Sequence, residues 1–237
     1  MLTTRRSGRR ATAGRPFPDD LHLRFGMTTS LERAIDELLE LLEDLDVPVA
    51  GSLNPGLGDE EIFDTLQLTL VQVDERAFRR RAHRDDADDP LGAGLVLSRE
   101  LISWFGSMDG LDPSVPTTMG GRELAPGFEP LSLRRALVRR KVFVETSGDP
   151  EVPDLYLPGG ENYFPIASAG RYVTMAKTTG GETSPIHCFH LEDAHETHHR
   201  IHWPSMEAMV ENWTARWRDG RLVYDSTHGI VESGPSG

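Results

Sequence analysis

Cysteine is nearly absent. Cys188 is the only one in 237 residues, so no disulfide can form within the chain and a reducing compartment is the simplest setting. Lysine is almost as scarce: Lys141 and Lys177 stand against 23 arginines, a bias that carries no mechanism. No apolar run approaches the roughly 18 residues that a membrane-crossing helix needs. The paired arginines near the start (Arg5, Arg6, Arg9, Arg10) are not followed by an apolar core, so they do not head a secretion signal. The expected location is cytoplasmic, with no membrane attachment. The sequence also lacks a Walker loop, a GxGxxG fingerprint and an HExxH pair, so none of the motif-bearing chemistries is written into it.

What the chain has in excess is acid. Its formal charge is −13, and residues 1–26 hold six arginines against two aspartates, a net of +4, which leaves −17 on residues 27–237. Such a surface repels nucleic-acid phosphates and attracts cationic partners, so direct nucleic-acid binding by the domain is not expected. Residues 1–26 have few apolar groups and no period, and read as a disordered basic arm. Met27 stands directly before the helix-forming TTSLERAIDELL, which suggests a translation start there; a functional arm for anionic partners is the rival reading.

Helices are signalled by caps and stripes. Thr29 and Glu32 make a capping-box pair ahead of Leu31, Ile35, Leu38, Leu42 and Leu45. That stripe is too short for a coiled-coil seam and predicts packing on a core. VPVAGSLNPG (47–56) reads as a linker. Asp59, Glu60 and Glu61 suit a helix N-terminus, with Ile62, Phe63 and Leu66 behind them. LQLTLVQV (66–73) alternates like a strand, and 75–90 is a charge-dense insertion. Ser98 caps a predicted helix 99–108 with Leu101, Ile102, Phe105 and Met108 in one stripe, stopped at Asp109-Gly110. A helix after Ser132 carries Leu133, Ala136 and Leu137, with a basic face of Arg134, Arg135, Arg139, Arg140 and Lys141. Strands are expected at 162–167, 171–176, 185–191 and 198–203. A last helix opens at Pro204-Ser205 with Met206, Met209, Val210, Trp213 and Trp217 on one side, and RLVYD (221–225) adds a short strand.

The sharpest local signal is a histidine cluster. His187, His190, His195, His198, His199 and His202 are six of the nine histidines, within sixteen residues. A hairpin pairing 185–191 with 198–203 places His198 and His202 on one face, the only metal-ligand candidates, and His199 on the other. His187 and His190 also diverge. The split argues against one metal centre, and no metal or other cofactor is expected. The plainer account is a polar outer face on a hairpin whose Ile186, Phe189, Ile201 and Trp203 make the apolar contacts. Cys188 with His187 or His190 and Glu192 is a candidate nucleophile set. Strand neighbours point oppositely, so Cys188 and His187 alone make no dyad, and no catalytic residue is assigned. The glycines of TTGGET (178–183) fit a hairpin turn rather than a phosphate loop, and the tryptophans at helical spacing fit core packing rather than a stacking surface.

Six segments occur in order: GLGDEEI (56–62), LSRELISWFGSMDG (97–110), LAPGFEPLSLRRAL (124–137), YFPIASAGRYVTM (163–175), SPIHCFH (184–190) and WPSMEAMVENW (203–213). Their order resembles the SUKH superfamily, which holds SMI/KNR-type cell-wall regulators and bacterial toxin-immunity proteins. The family pattern has Pro where this chain has Ser98, and Asn where it has Asp109. The resemblance implies an α+β fold, a mainly antiparallel sheet with helices packed on one side. The resulting division is an arm at 1–26, a helix and linker at 27–55, a SUKH-like domain at 56–225 and a disordered tail at 226–237. The implied function is non-catalytic: an immunity protein that neutralises a cationic nuclease- or deaminase-type toxin by stoichiometric binding. The alternatives are a regulatory interaction protein of the cell-wall type and a metal-dependent enzyme built on the histidines. Interface residues are not identified; the candidates are acids flanking the sheet and the exposed side of the hairpin 185–203.

Overall fold

The first helix, α1 (Ser30–Asp44), starts where its capping box is written. Thr29 Oγ1 accepts from the Glu32 amide at 3.1 Å, and the Glu32 carboxylate accepts from the Thr29 amide at 2.8 Å. The structure is a computed structural model, and it describes residues 29–66, 97–115, 121–146, 162–170, 172–178, 181–190 and 201–233. The basic arm, the expected strand at 66–73 (beyond Leu66), the insertion 75–90 and His195, His198 and His199 lie outside these residues. Leu31, Ile35, Leu38 and Leu42 of α1 are buried, and each contributes about 1.5–3 kcal/mol through the apolar surface removed from water. Leu45 does not join them. It is 46% exposed, because the helix ends there and Asp46 turns the chain with φ of 52°. The Asp46 and Val47 amides donate back to the Glu43 and Leu42 carbonyls, which closes the helix and sends Val47 inward.

The stretch 47–56 is therefore more than a linker. Val47 and Val49 are buried, Ala50–Ser52 forms a 3₁₀ turn, and Leu53–Pro55 is strand β1. Helix α2 covers 59–66, with Ile62 and Leu66 buried, and the Glu61 carboxylate accepts from the Gly58 amide at its start. Helix α3 (Arg99–Ser107) is capped by Ser98 Oγ, which accepts from the Leu101 amide at 3.2 Å. It runs straight into strand β2 (Met108–Leu111), antiparallel to β1. Gly110 makes the bend at φ of 69°, and a side chain there would overlap the backbone of Leu131 and Ser132. Asp109 lies within β2, past the end of α3 at Ser107, so it is not the helix stop that the sequence suggests. Its carboxylate accepts from the Leu133 amide at 2.7 Å and so caps helix α4 (Leu133–Thr146).

Strands β3 (Tyr163–Ala169), β4 (Tyr172–Lys177) and β5 (Ile186–His190) form an antiparallel sheet in that order, one strand each for the expected 162–167, 171–176 and 185–191. Phe164, Ala176 and Ile186 stand opposite one another, fully buried on the face turned to the main core. A bulge at Ile166 turns both Ile166 and Ala167 inward. On the opposite face Tyr163, Val173, Met175 and Phe189 cluster with Phe143 of α4. Single bridges extend the sheet at both edges, Pro130 to Ala167 and Ile186 to Trp203.

Helix α5 (Met206–Arg218) is capped by Ser205 and buries Met206, Met209, Val210, Trp213 and Trp217. Trp213 packs edge-on to Phe128 and Trp203, and the Trp217 indole donates to the Leu124 carbonyl at 3.0 Å. These tryptophans are core. Strand β6 (Leu222–Asp225) matches the expected RLVYD strand, but the chain beyond it is not a tail. Residues Gly229–Glu232 form β7, paired with β6 through a turn in which Asp225 accepts from the Thr227 and His228 amides. Ile230 and Leu222 join the main core, which explains why the boundary at 226 is displaced. The same core takes in α1, α3, α5 and the N-terminal half of α4, so packing shows no break at residue 56. The fold is α+β, and among the described residues every strand pairing is antiparallel.

Candidate protein-binding surface

The expected pairing of 185–191 with 198–203 is seen where Ile186 meets Trp203 in an antiparallel bridge, and residues 198–200 lie outside the described residues. Strand β5 pairs along its length with β4 on its other edge. His187 is buried, not outward: it sits beside Met175 on the second face, edge-on to Tyr163 and stacked near Phe189. His190 pairs with Tyr172 at the end of β5. His202 is exposed beside Trp203, and Ile201 is 53% exposed rather than an apolar contact. Of the two metal candidates, His202 is therefore on the surface and His198 lies outside the described residues. Among the described residues no three His, Cys, Asp or Glu converge. With Ile186, His187 and Phe189 buried, β5 offers no broad face to a partner.

Cys188 lies across from Thr174 and Ala167, on the face opposite to His187. Its sulfur is 3.8 Å from Thr174 Oγ1, and burial pushes the thiol up against the smaller lowering effect of that contact. A half-buried thiol kept protonated is a poor nucleophile. The connection from β4 to β5 passes through Gly181, whose carbonyl accepts from the Arg99 amide, and Gly180 lies outside the described residues.

Two kinds of charged surface remain. The first is acidic. Asp36, Glu37, Glu40, Glu43 and Asp44 are exposed along α1, and Asp59, Glu60, Glu61 and Asp64 along α2. Of these, Glu37 is tied to Arg218 of α5, an exposed pair of small energetic weight. No helix among the described residues is long and apolar enough to cross a membrane.

The second is basic and concave. On α4 the buried stripe Leu133, Ala136 and Leu137 turns inward, and Val138 and Val142, one turn apart, turn outward at 61% and 49% exposure. They line an open groove of about 620 Å³ with Leu131, Ser132 and Phe143. Arg134, Arg135 and Arg139 complete its wall. Arg135 lies 3.8 Å from Glu129, which also binds Arg122 at 3.1 Å, so the rim keeps a cationic excess. Burial pushes the Asp109 carboxyl up despite the Leu133 amide it accepts from, and Glu61 nearby adds to the rise. The basic helix was legible in sequence. The groove was not, although the outward Val138–Val142 pair is visible as a second apolar row.

No protein-family model matches this chain, and no curated protein is significantly similar to it.

Proposed function

We propose that this chain acts by stoichiometric protein binding without turnover, as an immunity protein that covers the cationic surface of a nuclease- or deaminase-type toxin. One observation carries the reading: every segment behind the SUKH resemblance falls on the kind of element the resemblance implies. GLGDEEI opens α2, and LSRELISWFGS carries α3, which ends at Ser107 and passes into β2 with Asp109-Gly110. A Gly127–Phe128 turn leads into α4, with Gly127 at φ of 76°. YFPIASA is β3 of a hairpin, and WPSMEAMVENW enters the tryptophan-bearing α5. The acidic faces of α1 and α2 supply what a cationic partner needs, since complementary charge speeds capture and fixes orientation. Deleting the gene in its source organism tests the reading. The deletion strain should be inhibited when grown beside wild-type siblings, and the intact chain should restore growth. Unimpaired growth in mixed culture would remove the immunity reading and leave a regulatory role.

A further inference from the structure

We propose that the α4 groove is a second docking site, and that its occupant is an acidic segment of a partner protein carrying apolar side chains at helical spacing. The surface is opposite in sign to the acidic faces assigned above, so the two assignments stand or fall separately. Leu131 and Phe143, both buried, form the floor, and Val138 is the most exposed large apolar side chain among the described residues. An exposed valine gains nothing from water, whereas a partner's leucine laid against it would remove apolar surface from solvent on both sides. Arg134, Arg135 and Arg139 surround that point, with planar guanidinium groups suited to bidentate carboxylate binding. In a chain of net charge −13, this local reversal selects against a cationic ligand. The volume of about 620 Å³ is that of a site taking two or three side chains rather than a whole domain face.

The probe is a fluorescein-labelled synthetic peptide of glutamate and leucine, the leucines spaced three and four apart, titrated with the full chain and followed by anisotropy. Two comparison peptides carry lysine for every glutamate, or serine for every leucine. The expected result is saturable binding of the first peptide, weakened about tenfold or more in either comparison peptide and in Val138→Glu or Arg139→Glu chains. Val138→Ser serves as a milder variant, and all variants should melt with the wild-type chain because the side chains are at the surface. Equal binding of the serine peptide would reduce the effect to bulk charge and overturn the proposal. So would a large drop in melting temperature for both Val138 variants, which would mean that the chain itself covers the groove. A dimer dispersed by Val138→Glu in sedimentation would assign the face to a second copy and likewise overturn it.

Discussion

Glu100→Ala should lower the free energy of unfolding by about 3–5 kcal/mol, because it strands three amide donors at once. The Glu100 carboxylate is buried on the first turn of α3, and it receives the Ser184 amide at 2.6 Å and the Met206 amide at 3.2 Å on one oxygen. The Glu207 amide reaches the other at 3.2 Å. These groups come from three separate parts of the chain: α3, the approach to β5 and the open N-terminus of α5. A negative charge at that terminus is also favoured by the helix dipole. Ser98 and Ser184 meet oxygen to oxygen at 2.6 Å next to it, so the node is polar throughout and has no apolar substitute of the same shape. Glu100→Gln keeps one acceptor oxygen but turns an amide group toward a donor, and should fall between the alanine variant and wild type. Urea unfolding monitored by tryptophan fluorescence measures both. A loss below about 1 kcal/mol for the alanine variant would contradict this role.

Gly56→Ala should be nearly as damaging, at about 3 kcal/mol or more, for a purely steric reason. A methyl group on Gly56 would overlap the carbonyl of Gly106 and crowd Ser107, both backbone atoms in the last turn of α3. No rotamer can relieve the clash. The Leu57 amide donates to the Phe105 carbonyl at 2.9 Å, which locks the two segments at that distance. Gly51→Ala is the control: nothing lies within 4 Å of a side chain there, and its stability should match wild type. If both variants unfold at the same denaturant concentration as wild type, the close approach of Gly56 to the last turn of α3 is wrong.

What sequence reading recovered and what it missed follow the range of the interactions concerned. The starts of α1, α3 and α5 were legible because Thr29, Ser98 and Ser205 act on amides three residues away. Glu100 reads in sequence as an ordinary first-turn acid, since its partners lie more than eighty residues off. Asp109 reads as a helix stop, but its carboxylate serves α4. The segment STHGIVES offers only Ile230 and Val231 as apolar residues, too little for a periodic signal, and β7 exists because β6 presents an edge to it. The surroundings of the histidine segment were only partly legible. Ile186 meets Trp203 as the hairpin reading expects, but alternation alone does not show that β4 takes the other edge of β5 and that both faces of the strand are packed, which buries His187 with Ile186 and Phe189. The outward valines of α4 were overlooked because one apolar stripe on that helix already accounted for its core contact.

The proposed function is tested most directly by capturing the tagged chain from its native cells and weighing the complex by native mass spectrometry. The capture should yield a one-to-one complex with a basic protein, released as salt rises, because the α1 carboxylates are exposed and screened over about 8 Å at physiological ionic strength. Reversing the charge of α1 with Asp36→Lys, Glu40→Lys and Glu43→Lys should abolish that complex without unfolding the chain. A complex that survives the triple reversal, or a preparation that turns over a substrate in the absence of any partner, would contradict the account.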